Sequence, residues 1–198
     1  MFMRDTTLRS PLVDVIWPAR SLTRDSLLVI ATSLLLALSA QVGFPLPFSP
    51  VPVTFQTFVV LAAGAVLGSR LGALSVLVYL TEGMIGLPFF AKGAAGIAYL
   101  RGATGGYLLG FVAAAFVVGL LVERGWGRKV STAMMAMGIG NVVLYVFGIA
   151  WLQTILNIST TKALFLGLYP FIAGDLYKIG IGALLLPVLG NFLGNPKD

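Results

Sequence analysis

The chain has 198 residues, of which 58% are hydrophobic and 10% charged, and its mean hydropathy is +0.98. Soluble domains carry about 25% charged residues, so this composition excludes an ordinary soluble fold and specifies an all-α polytopic membrane protein with the lipid bilayer as its first partner. Cysteine and histidine are both absent, which excludes disulfides, thiolate metal sites and histidine-based catalysis.

Residues 1–21 are mixed and polar and read as a cytoplasmic or interfacial segment without a cleavable signal. A spanning helix needs about 20 apolar residues, and the first falls at 22–43. The stretch "FPLPFSPVPVTFQ" follows, with prolines that cannot continue a helix, and is expected to form an ordered loop or cap. Two short helices, "TFVVLAAGAVLG" and "LGALSVLVYLTEGMIG", are predicted with a tight turn at "LGSRLG". The glycine-rich stretch "LPFFAKGAAGIAYLRGATGGY" is too polar and flexible for an ordinary span. Further helices are expected at 104–122, 130–152 and 168–193, giving six spans within 22–194 and a short tail at 195–198. The repeated GxxxG spacings, such as Gly64–Gly68, Gly102–Gly106–Gly110 and Gly190–Gly194, are read as close helix packing.

The net charge of +6 superficially suits a nucleic-acid binder. The basic residues instead lie at the edges of the apolar runs, the pattern of membrane topology, and no nucleic acid is expected. Placing both termini in the cytoplasm puts Arg4, Arg9, Arg20, Arg24, Arg70, Arg124, Arg128, Lys129 and Lys197 inside and leaves Lys92, Arg101, Lys162 and Lys178 on or toward the other face. That is the orientation the positive-inside rule favours.

The last span carries Asp175 and Lys178 within "YPFIAGDLYKIGIGALLLP". At i and i+3 they share a helix face, and each charge costs about 2.5–3.5 kcal/mol near the centre of a membrane. Three readings account for them: an internal ion pair that fixes packing, a proton relay, or an acceptor and a donor offered together to a small polar solute. Gln41, Thr54, Gln56, Thr57, Glu82, Arg101, Thr104, Tyr107, Asn141 and Tyr145 lie toward the same outer side. Singly each is readily structural. Together, with Phe55, Phe89 and Phe90 as candidate walls, they fit an apolar cavity with a few convergent polar groups. No P-loop, nucleophile elbow or metal-ligand cluster is present, so neither an enzyme nor a self-powered pump is expected, and no cofactor. The chain is also small for a transporter built from inverted repeats, which suggests a binding subunit energised by others.

The segments "SPVPVTFQT", "GSRLGALSVLVYL", "GLPFF", "GATGGYLLGF" and "YPFIAGDLYKIGIGALLLP" resemble the BioY family, the biotin-specific S-components of energy-coupling factor (ECF) transporters, over residues 26–187. The resemblance implies a six-helix S-component fold, with a biotin pocket near the outer face capped by the first and third loops. It also implies docking on a transmembrane coupling protein driven by two ATPase subunits in a prokaryotic cell membrane, with the S-component toppling in the bilayer. It carries binding roles to Asp175, Lys178, Arg101, Tyr107 and Gln56, with Phe55 a candidate to pack on the ring system and Asn141 and Glu82 added from position. The Ala-x-x-x-Ala docking pattern common in S-components has its nearest counterpart here in Ser33 and Ala37. An S-component for a different vitamin and a membrane structural or assembly protein are the alternatives.

Overall fold

The computed structural model describes residues 11–193. The tail at 195–198, the first half of the segment 1–21, and Arg4, Arg9, Lys197 and Gly194 lie outside the described residues. The first element is a short helix, α1 (Leu12–Ile16), followed by α2 (Leu22–Gln41). The Ser21 hydroxyl starts α2 by accepting from the Arg24 amide at 3.1 Å, the usual answer to orphan donors at a helix N-terminus. Arg24 is 1% exposed and binds the Val13 carbonyl and the Asp14 carboxylate, each at 2.9 Å, so it straps α1 to the bundle. Burial works against ionisation of Asp14, but hydrogen bonds from Arg20 and Arg24 outweigh it and hold the carboxyl below the usual carboxylate range.

The proline-rich stretch is an ordered cap, and it takes the form of a two-stranded antiparallel hairpin, β1 (Gly43–Leu46) and β2 (Ser49–Thr54). Its prolines are tolerated because both strands are edges.

Helix α3 (Gln56–Met84) is interrupted at Gly68, with φ 83° and ψ 179°. Only glycine adopts that conformation cheaply, so the predicted turn within "LGSRLG" is present. It divides α3 into arms 56–67 and 69–84 that fold back on each other, with Gly72 against Gly64. Glu123 accepts from the Ser69 amide at 2.7 Å and starts the second arm. Five helices are long and apolar enough to cross a membrane, α3 counted as one. Divided at Gly68 they give six helical passes along the bundle, the two arms of α3 each shorter than a full span. The first arm is about 18 Å long at 1.5 Å per residue, short of a hydrocarbon core of about 30 Å.

The glycine-rich stretch holds a 3-10 turn (Ala91–Gly93) and one turn of helix, α4 (Ile97–Leu100). Helix α5 (Gly105–Leu121) packs between α3 and α6 (Val130–Leu156). Gly106 lies on Trp151 and Phe147 of α6, and Gly64 of α3 lies on Ala115 of α5, so glycine lets these backbones approach. The expected last span at 168–193 begins later: the chain forms α7 (Thr160–Gly167) before α8 (Ile172–Leu193). Ser159 caps α7 by accepting from the Lys162 amide, a start signal that the apolar-run reading of this region passed over.

Candidate ligand-binding site

At the end of the bundle where α2 stops and α3, α5 and α8 begin, the hairpin and the loop 85–104 border a narrow cavity that is partly open to solvent. Its walls are Val51, Tyr99, Tyr107, Leu108, Phe111, Leu144 and Phe171; Thr54, Gln56, Thr57, Tyr145, Asp175 and Lys178 supply the polar groups. Asp175 is the one acid and Lys178 the one cation that line it among the described residues.

The two charges form an ion pair of 3.1 Å with side chains 5% and 13% exposed. Lys178 also donates to the Thr54 carbonyl and to the Thr57 hydroxyl, each at 2.8 Å. All three ammonium protons are thereby engaged. Asp175 accepts from Thr57 at 3.2 Å, from Asn141 at 3.3 Å and from the Tyr145 hydroxyl at 2.5 Å. A buried carboxylate needs such donors to offset its lost hydration. They come from α3, α6 and α8, so the network joins three helices at the cavity floor.

Four of the expected site residues meet here. Asp175, Lys178, Gln56 and Tyr107 line the cavity, although the Tyr107 hydroxyl is bound to the Gly167 carbonyl at 2.9 Å and offers only its ring. Gln56 binds the Tyr79 hydroxyl at 2.7 Å and accepts from Thr54 at 3.2 Å. Asn141 stands one bond behind the floor, with its Oδ1 buried and unpartnered among the described residues. Arg101, Phe55 and Glu82 are not brought to the lining. Arg101 is exposed at the end of α4, Phe55 is 41% exposed and packs on Phe58, and Glu82 is half-buried, with Oε2 buried and unpartnered among the described residues. Phe89 and Phe90 are not walls either; Phe90 is buried behind Tyr99, on which it stacks at 5.0 Å. Ser33 and Ala37 are 0% and 6% exposed. Neither side chain is therefore open at the surface in this structure, and Ala37 belongs to the buried core. Thr57 and Tyr145 were legible as polar residues on the outer side but not as partners of Asp175, because nothing in their spacing links them to α8.

The model of the BioY family matches residues 7–195. The chain belongs to the BioY family. Among its relatives, the biotin transporter BioY of Rhizobium etli is 42% identical over 171 residues, covering 82% of this chain and 91% of that one. The biotin transporter BioY of Thermotoga maritima is 39% identical, covering 71% of this chain and 81% of its own. The crystal structure of the S-component for biotin from an ECF-type ABC transporter superposes with a TM-score of 0.74 over 87% of this BioY-family chain and 95% of that one, at 24% identity. That likeness establishes the S-component-like membrane fold for this family member.

Proposed function

We propose that this protein is the biotin-binding S-component of an ECF-type transporter and not an enzyme. The observation that carries the reading is the Asp175–Lys178 pair at the floor of an otherwise apolar, aromatic-walled cavity; the relatives that are themselves biotin transporters support it. Biotin presents two ureido N–H donors and a carbonyl, an apolar bicycle and a valerate carboxylate. Asp175 accepts from a ureido N–H, Lys178 pairs with a ligand oxygen, and Tyr107, Phe111 and Phe171 pack on the bicycle. Because every Lys178 proton is engaged, a ligand oxygen reaches it by displacing a present partner such as the Thr54 carbonyl. Energy comes from a separate coupling protein and two ATPase subunits, and both termini face the cytoplasm.

The saturated network favours a second reading, in which the pair only fixes helix packing. Biotin binding to the purified, detergent-solubilised protein separates the two. Under the first reading, Asp175→Asn lowers affinity by more than about tenfold, or 1.4 kcal/mol. A folded Asp175→Asn protein with unchanged affinity assigns the pair to packing alone. Absence of biotin binding by the folded wild type, with stabilisation by riboflavin, thiamine or niacin instead, assigns a different vitamin.

A further inference from the structure

The loop 85–96 covers one side of the cavity, and its conformation is held from two directions. From α2, the Gln41 amide donates to the Phe90 carbonyl at 3.0 Å and to the Phe89 carbonyl at 3.4 Å, while its Oε1 accepts from the Gly93 amide at 2.9 Å. From within the bundle, Tyr79, which is 0% exposed, donates its hydroxyl to the Phe89 carbonyl at 3.3 Å and receives Gln56 of the cavity lining at 2.7 Å. A continuous polar path therefore runs from Thr54 through Gln56 and Tyr79 to the loop.

The loop needs this support. Lys92 and Gly93 both have positive φ, 61° and 70°, and a non-glycine residue holds that conformation only where its surroundings impose it. Gln41 binds the backbone before that turn, at Phe89 and Phe90, and within it, at Gly93. Phe90 closes the arrangement by packing edge-on to Tyr79 and flat on Tyr99, which lines the cavity.

We propose that Gln41 and Tyr79 are positioning residues that clasp the loop 85–96 over the cavity and thereby set how long a bound ligand is retained, without touching it. Loosening the clasp raises the frequency of loop opening and lets ligand leave sooner, while the Asp175–Lys178 floor remains intact. The proposal deepens the biotin-binding reading and rests on it for the identity of the ligand.

The test uses the full-length protein with Gln41→Ala, Gln41→Glu and the near-isosteric Tyr79→Phe. Two quantities are read: amide hydrogen exchange of residues 85–96 in the ligand-free protein, and the dissociation rate of radiolabelled biotin. Gln41→Ala and Tyr79→Phe are expected to raise loop exchange and to speed biotin release by about tenfold, on the scale of a lost hydrogen bond, with no fall in association rate. Gln41→Glu keeps the acceptor for Gly93 but sets a carboxylate oxygen against the Phe89 and Phe90 carbonyls, and is expected to raise loop exchange at least as much as Gln41→Ala. If Gln41→Ala does not fold, Tyr79→Phe, which keeps the ring, carries the test. Wild-type loop exchange in folded Tyr79→Phe or folded Gln41→Ala overturns the clasp, as does raised exchange with wild-type release. If the wild type does not bind biotin, the functional reading falls, and loop exchange in the ligand-free variants decides the clasp alone.

Discussion

Asp175 is 4% exposed in a membrane bundle and remains tolerable because four side chains donate to it. The shortest of these bonds is from Tyr145. Tyr145→Phe removes that donor alone, and hydrogen bonds to charged groups contribute about 1.5–3 kcal/mol. A loss of thermal stability of that order is expected in detergent, together with weaker biotin binding. An unchanged melting temperature and affinity would show that Thr57, Asn141 and Lys178 suffice. The charge pair itself was legible in the sequence, because an i,i+3 spacing on a helix fixes a shared face. Its donors were not: Thr57 and Asn141 stand 118 and 34 residues from Asp175. Arg101 was given a binding role by the family resemblance and Phe55 as a candidate ring partner, but Arg101 ends α4 and Phe55 precedes α3, where direction is set by local backbone rather than by a repeat.

At the scale of elements, the glycine spacings divide into two kinds. A Cβ on Gly106 would sit 2.1 Å from the Trp151 Cβ, whereas one on Gly138 would meet nothing within 4 Å. Gly106→Ala is therefore expected to push α5 from α6 and to lower stability by about 1–3 kcal/mol, the usual result of overpacking. Gly138→Ala is expected to be neutral or slightly stabilising, since alanine is the better helix former. Thermal unfolding of the two single variants checks the contrast, and equal melting temperatures would contradict it. The same packing logic explains the break in α3. Gly68 supplies the backbone conformation, Glu123 caps the new N-terminus, and Gly64 and Gly72 let the two arms meet. The turn was legible from "LGSRLG", whereas α7 was missed because its Ser159 cap lies in a short, polar stretch.

Across the whole molecule, six helical passes return the chain to the end of the bundle at which it started. Arg70, Arg124 and Lys129 gather at the end opposite the cavity, with Lys92 and Lys162 at the cavity end. The protein has no cysteine, so single cysteines report topology without background. Lys92→Cys and Lys162→Cys are expected to react with a membrane-impermeant maleimide in intact cells, and Arg70→Cys and Lys129→Cys only after permeabilisation. The reverse pattern would invert the orientation. By itself the sequence determined the membrane class, the number of helical passes, the turn in α3 and the shared face of Asp175 and Lys178, because hydropathy, glycine and helical spacing act over a few residues. Only the tertiary structure decided that the proline-rich segment pairs as a hairpin, that Ser33 and Ala37 are buried, which donors hold Asp175, and that Gln41 grips a loop some fifty residues away. These depend on helix faces meeting across long stretches of chain, and packing, not local spacing, chooses which faces meet.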